Sequence, residues 1–243
     1  MRVRAVVAYD GTDYGGFQRQ ANAPTIQGKL EAALAQVTQE TITVLAAGRT
    51  DAGVHAAGQV IAFDTTWRHG VVILQRALNA VLPADIAVRD VEQAAPNFHP
   101  RYDAHSRHYR YTLYNAPVRW PLDRRYSLYM ATPLDVDAMQ QAARCLLGEH
   151  DFAAFGRPHK QGGATVRRML VAEWWGEVPK LIFDIEANAF LYRMVRSIVG
   201  TLLQVGKGDM SVEAFAAVLA SCDRDQAGTT APPHGLCLMQ VKY

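Results

Sequence analysis

Cysteine is scarce in this chain. The 243 residues hold three, Cys145, Cys222 and Cys237, far apart and with no CxxC pair. That pattern argues against a disulfide framework or a zinc site and fits a reducing cytosol. Long hydrophobic runs are missing as well. No stretch approaches the roughly 18 consecutive apolar residues of a membrane span. The segment Met1 to Tyr9 enters a strand-like pattern directly, without signal-peptide anatomy. A cytoplasmic protein with no membrane contact is expected. There is no low-complexity tract and no internal repeat at the level of residue identity. Lysine is rare too: of the 25 basic residues 5 are Lys and 20 are Arg.

What is present is an ordinary globular composition, 49% hydrophobic and 20% charged, over a length that allows one large domain or two small ones. The net charge of +2 and pI near 8.4 are mildly basic, which permits an RNA partner without demanding one. Arginine forks onto phosphate and stacks on bases. A compositional bias toward Arg and Ala explains the same excess, and composition by itself favours that explanation.

Hydrophobic periodicity outlines two halves of similar parts. The first reads as a strand at 3–9, a glycine-bearing loop at 10–20, an amphipathic helix at 25–39 through Ile26, Leu30, Leu34 and Val37, and a β-branched strand at 41–46. A loop at 48–58, a strand at 59–64, a helix at 71–81 stopped by Leu82-Pro83 and a strand at 86–91 complete it. The segment 94–104, with Pro96 and Pro100, is the expected junction between domains 1–104 and 105–243. The second half reads as strands at 105–115 and 126–129, then a helix capped by Asp135 with Gly148 just past its end. Strands at 168–176 and 181–187, a helix at 190–205, a short helix at 212–220 capped by Ser211, and a last strand at 236–241 follow. Few elements are spaced as parallel βαβ units, so an α+β architecture is expected: two similar α/β halves with antiparallel sheets flanked by helices.

Four constellations carry chemistry. Gly48-Arg49-Thr50-Asp51-Ala52-Gly53-Val54-His55 follows a strand, and its glycines allow a tight backbone path and close approach of a ligand. A nearby guanidinium keeps a carboxylate ionised, and an ionised, positioned Asp51 can act as nucleophile, base or metal ligand. The metal reading is the weaker, because no second carboxylate lies near it in sequence; an ordinary loop with Asp51 capping a turn is the alternative. In the strand 107–114, Arg107, Tyr109, Tyr111 and Leu113 share one face and His108, Arg110, Thr112 and Tyr114 the other. Arginine beside aromatic rings suits base stacking with phosphate contact, whereas cross-strand aromatic pairing explains the strand with less.

Arg196 lies in a helix apolar over most of its girth. A buried guanidinium needs a carboxylate, and Asp51 is the candidate, unless Arg193 and Arg196 line one narrow solvated stripe. Gly16-Phe17-Gln18-Arg19-Gln20, Arg119-Trp120 and Arg124-Arg125-Tyr126 are basic-aromatic stretches able to track an RNA backbone, though each alone also reads as a solvated loop.

The motif from Gly48 to Ala56 resembles the signature of the tRNA pseudouridine synthase A family. The resemblance extends in order through Tyr9-Asp10-Gly11-Thr12, Gly16 to Gln20, Asn79 to Val88, Ser106 to Tyr111, Leu146 to Phe152, Ala187 to Phe190 and Met194 to Gly200, over nearly the whole chain. It departs at Phe17, where many relatives carry Trp, and at 156–164, a variable stretch that includes Lys160.

The resemblance implies an isomerase that converts uridine to pseudouridine in the anticodon stem-loop of tRNA, at positions 38–40. It implies the pseudouridine synthase fold with its active-site cleft between the two halves, and a homodimer in which one tRNA contacts both subunits. No metal, nucleotide or other cofactor is implied. Asp51 matches the nucleophilic aspartate, Tyr109 the tyrosine that packs on the target base, Arg196 the basic partner of the aspartate, and Arg49 an arginine that helps the base leave the helix. Gln18, Arg19, His55, Arg107 and Arg110 are the further expected RNA contacts. A non-catalytic RNA binder would use Tyr109 and the arginines but not Asp51. A carboxylate-dependent nucleosidase would release free uracil and want a second acid at glycosidase spacing, which the sequence does not display.

Overall fold

The computed structural model describes residues 1–158 and 162–243, and the chain divides into two compact units, 1–105 with 237–243 and 106–236. Lys160 of the variable stretch lies outside the described residues. The boundary falls one residue beyond the expected junction, and the last strand joins the first unit.

The first unit is built on strands β1 (Arg2–Tyr9), β2 (Leu45–Ala46), β3 (His55–Asp64), β4 (Ile86–Gln93) and β10 (Leu236–Lys242), with helices α1 (Ile26–Thr38) and α2 (Val71–Val81). The order β4-β1-β3-β10 places β1 antiparallel to both β3 and β4, with β2 pairing on β3. Val3, Ala5, Val7 and Tyr9 alternate into the core, as period-2 patterning dictates. The Thr25 hydroxyl caps α1 by accepting from the Gly28 amide at 3.2 Å.

The second unit holds β5 (Ser106–Asn115), β6 (Leu128–Met130), β7 (Gly148–Asp151), β8 (Val166–Glu177) and β9 (Lys180–Ala187), in the order β5-β9-β8-β7. Helices α3 (Val136–Arg144), α4 (Met194–Lys207) and α5 (Val212–Ser221) pack with one another, and α3 also packs on β8. Asp135 and Ser211 cap α3 and α5 as the sequence predicts, accepting from Ala138 at 2.9 Å and Ala214 at 3.1 Å. Tyr111, Phe152, Phe155, Phe183 and Phe215 are wholly buried. Trp174 stacks on Phe183 at 4.8 Å, which anchors β8 to β9 on the core side. No helix among the described residues is long and apolar enough to cross a membrane.

Several boundaries differ from the sequence reading, each for a physical reason. Only Leu45 and Ala46 of the expected strand 41–46 pair in a ladder, because the Val44 amide is taken by Glu31 Oε1 at 3.1 Å. The expected loop 48–58 ends early, since β3 begins at His55. Gly148 does not follow a helix end. The chain leaves α3 at Arg144 through short-range bonds from Cys145, Leu146 and Leu147, and Gly148, at φ +98°, opens β7. Residues 190–193 are not helical: the Tyr192 amide donates to the Arg157 carbonyl at 2.9 Å, and Arg193 turns left-handed at φ +60° before α4 starts. Most strand pairs are antiparallel, but β10 runs parallel to β3 and β6 parallel to β5. The second exception is possible because the 116–127 connection is long enough for a crossover.

Candidate active site

Asp51 sits, half-buried, on the loop between β2 and β3 of the first unit, and that loop is held on both sides. Before it, the Ala47 amide donates to Val60 O at 2.9 Å, and the buried Gln59 side chain donates to Gly48 O at 2.9 Å. The Thr50 hydroxyl and the Tyr9 phenol share a buried hydrogen bond of 2.8 Å, and Thr50 O accepts from the Phe17 amide at 3.1 Å. After it, the Val54 amide closes a turn onto Asp51 O at 3.2 Å. The 10–17 loop presses on this turn so closely that glycine is required. A Cβ on Gly11 would stand 2.0 Å from Val54 O, and one on Gly16, at φ +104°, 2.7 Å from Thr50 O. The carboxylate-bearing residue therefore rests on a backbone fixed by β1, β3 and the 10–17 loop together.

The other first-unit candidates surround this loop in different ways. Arg49 is exposed, one residue before the buried Thr50. His55 is 5% exposed, and its Nδ1 stands 3.1 Å from the Gly11 amide, which donates to it, and 3.1 Å from Asp10 Oδ1. Gln18 is exposed. Arg19 is exposed too, with its guanidinium paired to the buried Glu31 at 3.1 Å. Burial and the Asp85 carboxylate, which accepts from the Tyr14 phenol at 2.8 Å, push that phenol's pKa far up, so Tyr14 stays a neutral donor that ties the 10–17 loop to Asp85.

In the second unit, β5 alternates as expected. Arg107, Tyr109, Tyr111 and Leu113 are buried on one face, and His108, Arg110, Thr112 and Tyr114 are half-buried on the other. The Arg107 guanidinium donates to Asn188 O at 2.8 Å. The Tyr109 ring meets Phe190 edge to face, with centroids 5.2 Å apart and planes at 88°. Arg110 lies on the opposite face and forks onto Asp184 with two bonds of 2.9 Å while covering the Trp175 ring at 5.1 Å. Burial works against ionisation of Asp184, but Arg110, Trp175 and His108 together outweigh it and hold the carboxyl below its usual range.

Arg196 enters from the first turn of α4. It is clamped reciprocally: its Nε donates to Ala231 O at 2.8 Å, and its own carbonyl accepts from the Ala231 amide at 2.9 Å. The same segment takes the Tyr111 phenol on Pro232 O at 2.8 Å. Burial drives the Tyr111 pKa far up, with the nearby Arg196 charge pulling the other way. Gly200 lets the helix touch this segment, since a Cβ there would lie 1.8 Å from Thr229 O. The 229–232 segment and Phe190 are contributions that periodicity did not single out for a role. Their partners, Arg196 and Tyr109, lie 35 and 81 residues away from Ala231 and Phe190. Arg119, Trp120 and Arg124 of the basic-aromatic stretches line, with Tyr114, Pro121, Ser127, Tyr129 and His234, a cavity of about 170 Å³ in the same unit, and Arg125 and Tyr126 do not.

The amino-acid sequence that builds these two units matches a known family. Residues 5–103 and 142–243 fit the model of the family described as tRNA pseudouridine synthase. The chain belongs to the tRNA pseudouridine synthase family, an isomerase family of mixed α/β fold. Among its relatives, the tRNA pseudouridine synthase A of Moorella thermoacetica is 48% identical over 246 residues, covering 99% of each chain. That of Chloroflexus aurantiacus is also 48% identical and covers 99% of this chain and 88% of its own. That of Geotalea uraniireducens is 45% identical over 100% of this chain and 99% of its own.

Proposed function

We propose that this chain converts uridine to pseudouridine in the anticodon stem-loop of tRNA, at positions 38–40, with Asp51 as nucleophile. The carrying observation is the brace around Asp51: a half-buried carboxylate on a loop immobilised by Tyr9, Gln59 and the two close-packed glycines. A loop held this way from three directions is what a pre-positioned reacting group needs.

The reaction breaks the bond from C1′ to N1, turns the uracil and joins C1′ to C5. It is redox-neutral and spends no phosphate, so the chemistry calls for no cofactor. An ionised Asp51 is suited to attack C1′, to attack C6, or to promote uracil departure through a glycal. Each route needs the carboxylate charged and the base held while it turns. Tyr109 stacks on the base, Arg196 contributes to substrate binding, and the exposed Arg49 assists extrusion of the base from the stem-loop. Extrusion costs a few kcal/mol, which contacts to the RNA backbone offset.

Gln18 and Arg19, both exposed, are assigned to RNA contact, whereas the buried His55 and Arg107, expected from the sequence to touch RNA, are held by the Asp10–Gly11 turn and the Asn188 carbonyl and act on the RNA only through those elements. For Arg110, a phosphate has to compete with Asp184 for the guanidinium fork. The enzyme works in the cytoplasm as a homodimer, with one tRNA touching both subunits. The test is incubation with unmodified tRNA transcripts and mapping of pseudouridine by carbodiimide primer extension. Signal at 38–40 is expected; none in the anticodon arm across a full tRNA set removes the assignment.

A further inference from the structure

β9 ends at Ala187, and the chain then has to turn away from the sheet toward α4. Asn188 governs that exit. Its amide donates to Arg168 O at 3.2 Å, so the ladder to β8 continues one residue past the strand. Its side-chain Oδ1 accepts from the Arg168 amide at 3.0 Å and from the Ala189 amide at 2.9 Å. Its carbonyl accepts from Arg107 on β5 at 2.8 Å. One residue thus ties β8, β5 and the outgoing loop together, beside the bulge between Met169 and Val171. Two residues further on, Phe190 stands perpendicular to the Tyr109 ring at 5.2 Å. Tyr109 is buried and Phe190 half-buried, and the perpendicular Phe190 ring is a neighbour placed to oppose rocking of the Tyr109 ring about its Cβ–Cγ bond.

We infer that Asn188 and Phe190 are positioning residues for the reaction: Asn188 fixes the start of the 188–193 loop, and Phe190 holds the Tyr109 ring in the plane in which it stacks on the target uracil. This rests on the stacking role proposed for Tyr109. A platform ordered before the base arrives loses no conformational freedom when the base stacks. The benefit falls in the step where the uracil turns, because a stacked ring restrains the base there. It does not fall in docking of the tRNA body, which phosphate contacts dominate.

The test is a double-mutant cycle on the full chain with a tRNA transcript: Phe190→Leu, Tyr109→Leu and the double variant, with thermal melts to confirm folding. Phe190→Leu should lower kcat about tenfold, in proportion to a lost aromatic pair and its ring ordering, with KM and tRNA affinity held within about twofold. Phe190→Tyr should restore kcat. In the Tyr109→Leu background, Phe190→Leu should add nothing further. Fully additive losses, an unchanged kcat in Phe190→Leu, or KM and tRNA Kd rising in step with the loss would overturn the inference while leaving the stacking role standing. A wild-type kcat in Tyr109→Leu would remove the stacking role, and the inference with it. Should Phe190→Leu fail to fold, Asn188→Ser, at an exposed position, runs the same cycle through the loop anchor.

Discussion

The Tyr9 phenol and the Thr50 hydroxyl meet inside the first unit at 2.8 Å, joining the end of β1 to the residue that precedes Asp51. Both are buried, so neither oxygen has water as a ready substitute. Tyr9→Phe leaves the Thr50 hydroxyl short of this partner and should cost about 1–2 kcal/mol, read from the urea midpoint. Because the loosened residue adjoins Asp51, kcat should fall while tRNA affinity stays near wild type.

Gly11 leaves no room for a side chain against the Val54 carbonyl. Gly11→Ala forces either the 10–17 loop or the turn after Asp51 to move, at about 3 kcal/mol or more. Gly48, by contrast, has nothing within 4 Å of a built Cβ. Gly48→Ala should therefore be nearly silent in the same denaturation series, separating glycines that allow close approach from glycines that do not.

Arg196 illustrates why charge alone does not define a role. Its Nε bond to Ala231 O aims the guanidinium, and lysine has no atom to make that bond while extending its charge. Arg196→Lys should reduce kcat on the order of a hundredfold, as for a group displaced by about an ångström. Steady-state kinetics and a melt within a few degrees of wild type would check it.

The Asp184 cluster predicts a pH dependence of stability. Its carboxyl is held below the unfolded value, so its contribution is complete above the ordinary carboxylate pKa of about 4 and is lost as pH falls through the lower folded value. Asp184→Asn should destabilise the protein at pH 6, and the variant should lose less further stability than wild type between pH 5 and pH 3. Urea midpoints at three pH values measure both.

Much of this arrangement is legible in the sequence wherever one local rule dominates. The two faces of β5 follow from strict alternation, and the Asp135 and Ser211 caps from side-chain type at helix starts. What escapes is set by contacts distant in sequence. Val44 pairs with a helix carboxylate instead of a strand, and Tyr192 is drawn to Arg157, which unwinds what periodicity alone extends as helix. Gly148 has the residue type of a helix stop, yet the chain has already left α3 by short-range bonds, and its left-handed φ starts β7 instead. The loop motif Gly48–His55 is visible as a motif. That Tyr9, Gly11 and Gly16 brace it depends on β1 lying against β3, which no local pattern states.

The central claim is that Asp51 acts through its negative charge. Asp51→Asn keeps the shape of the side chain and removes that charge, so single-turnover conversion of a tRNA transcript, measured beside filter binding of the same RNA, isolates it. Asp51→Asn should keep tRNA affinity close to wild type and form no pseudouridine over many wild-type half-times. Conversion by Asp51→Asn at a rate near that of the wild type would contradict it.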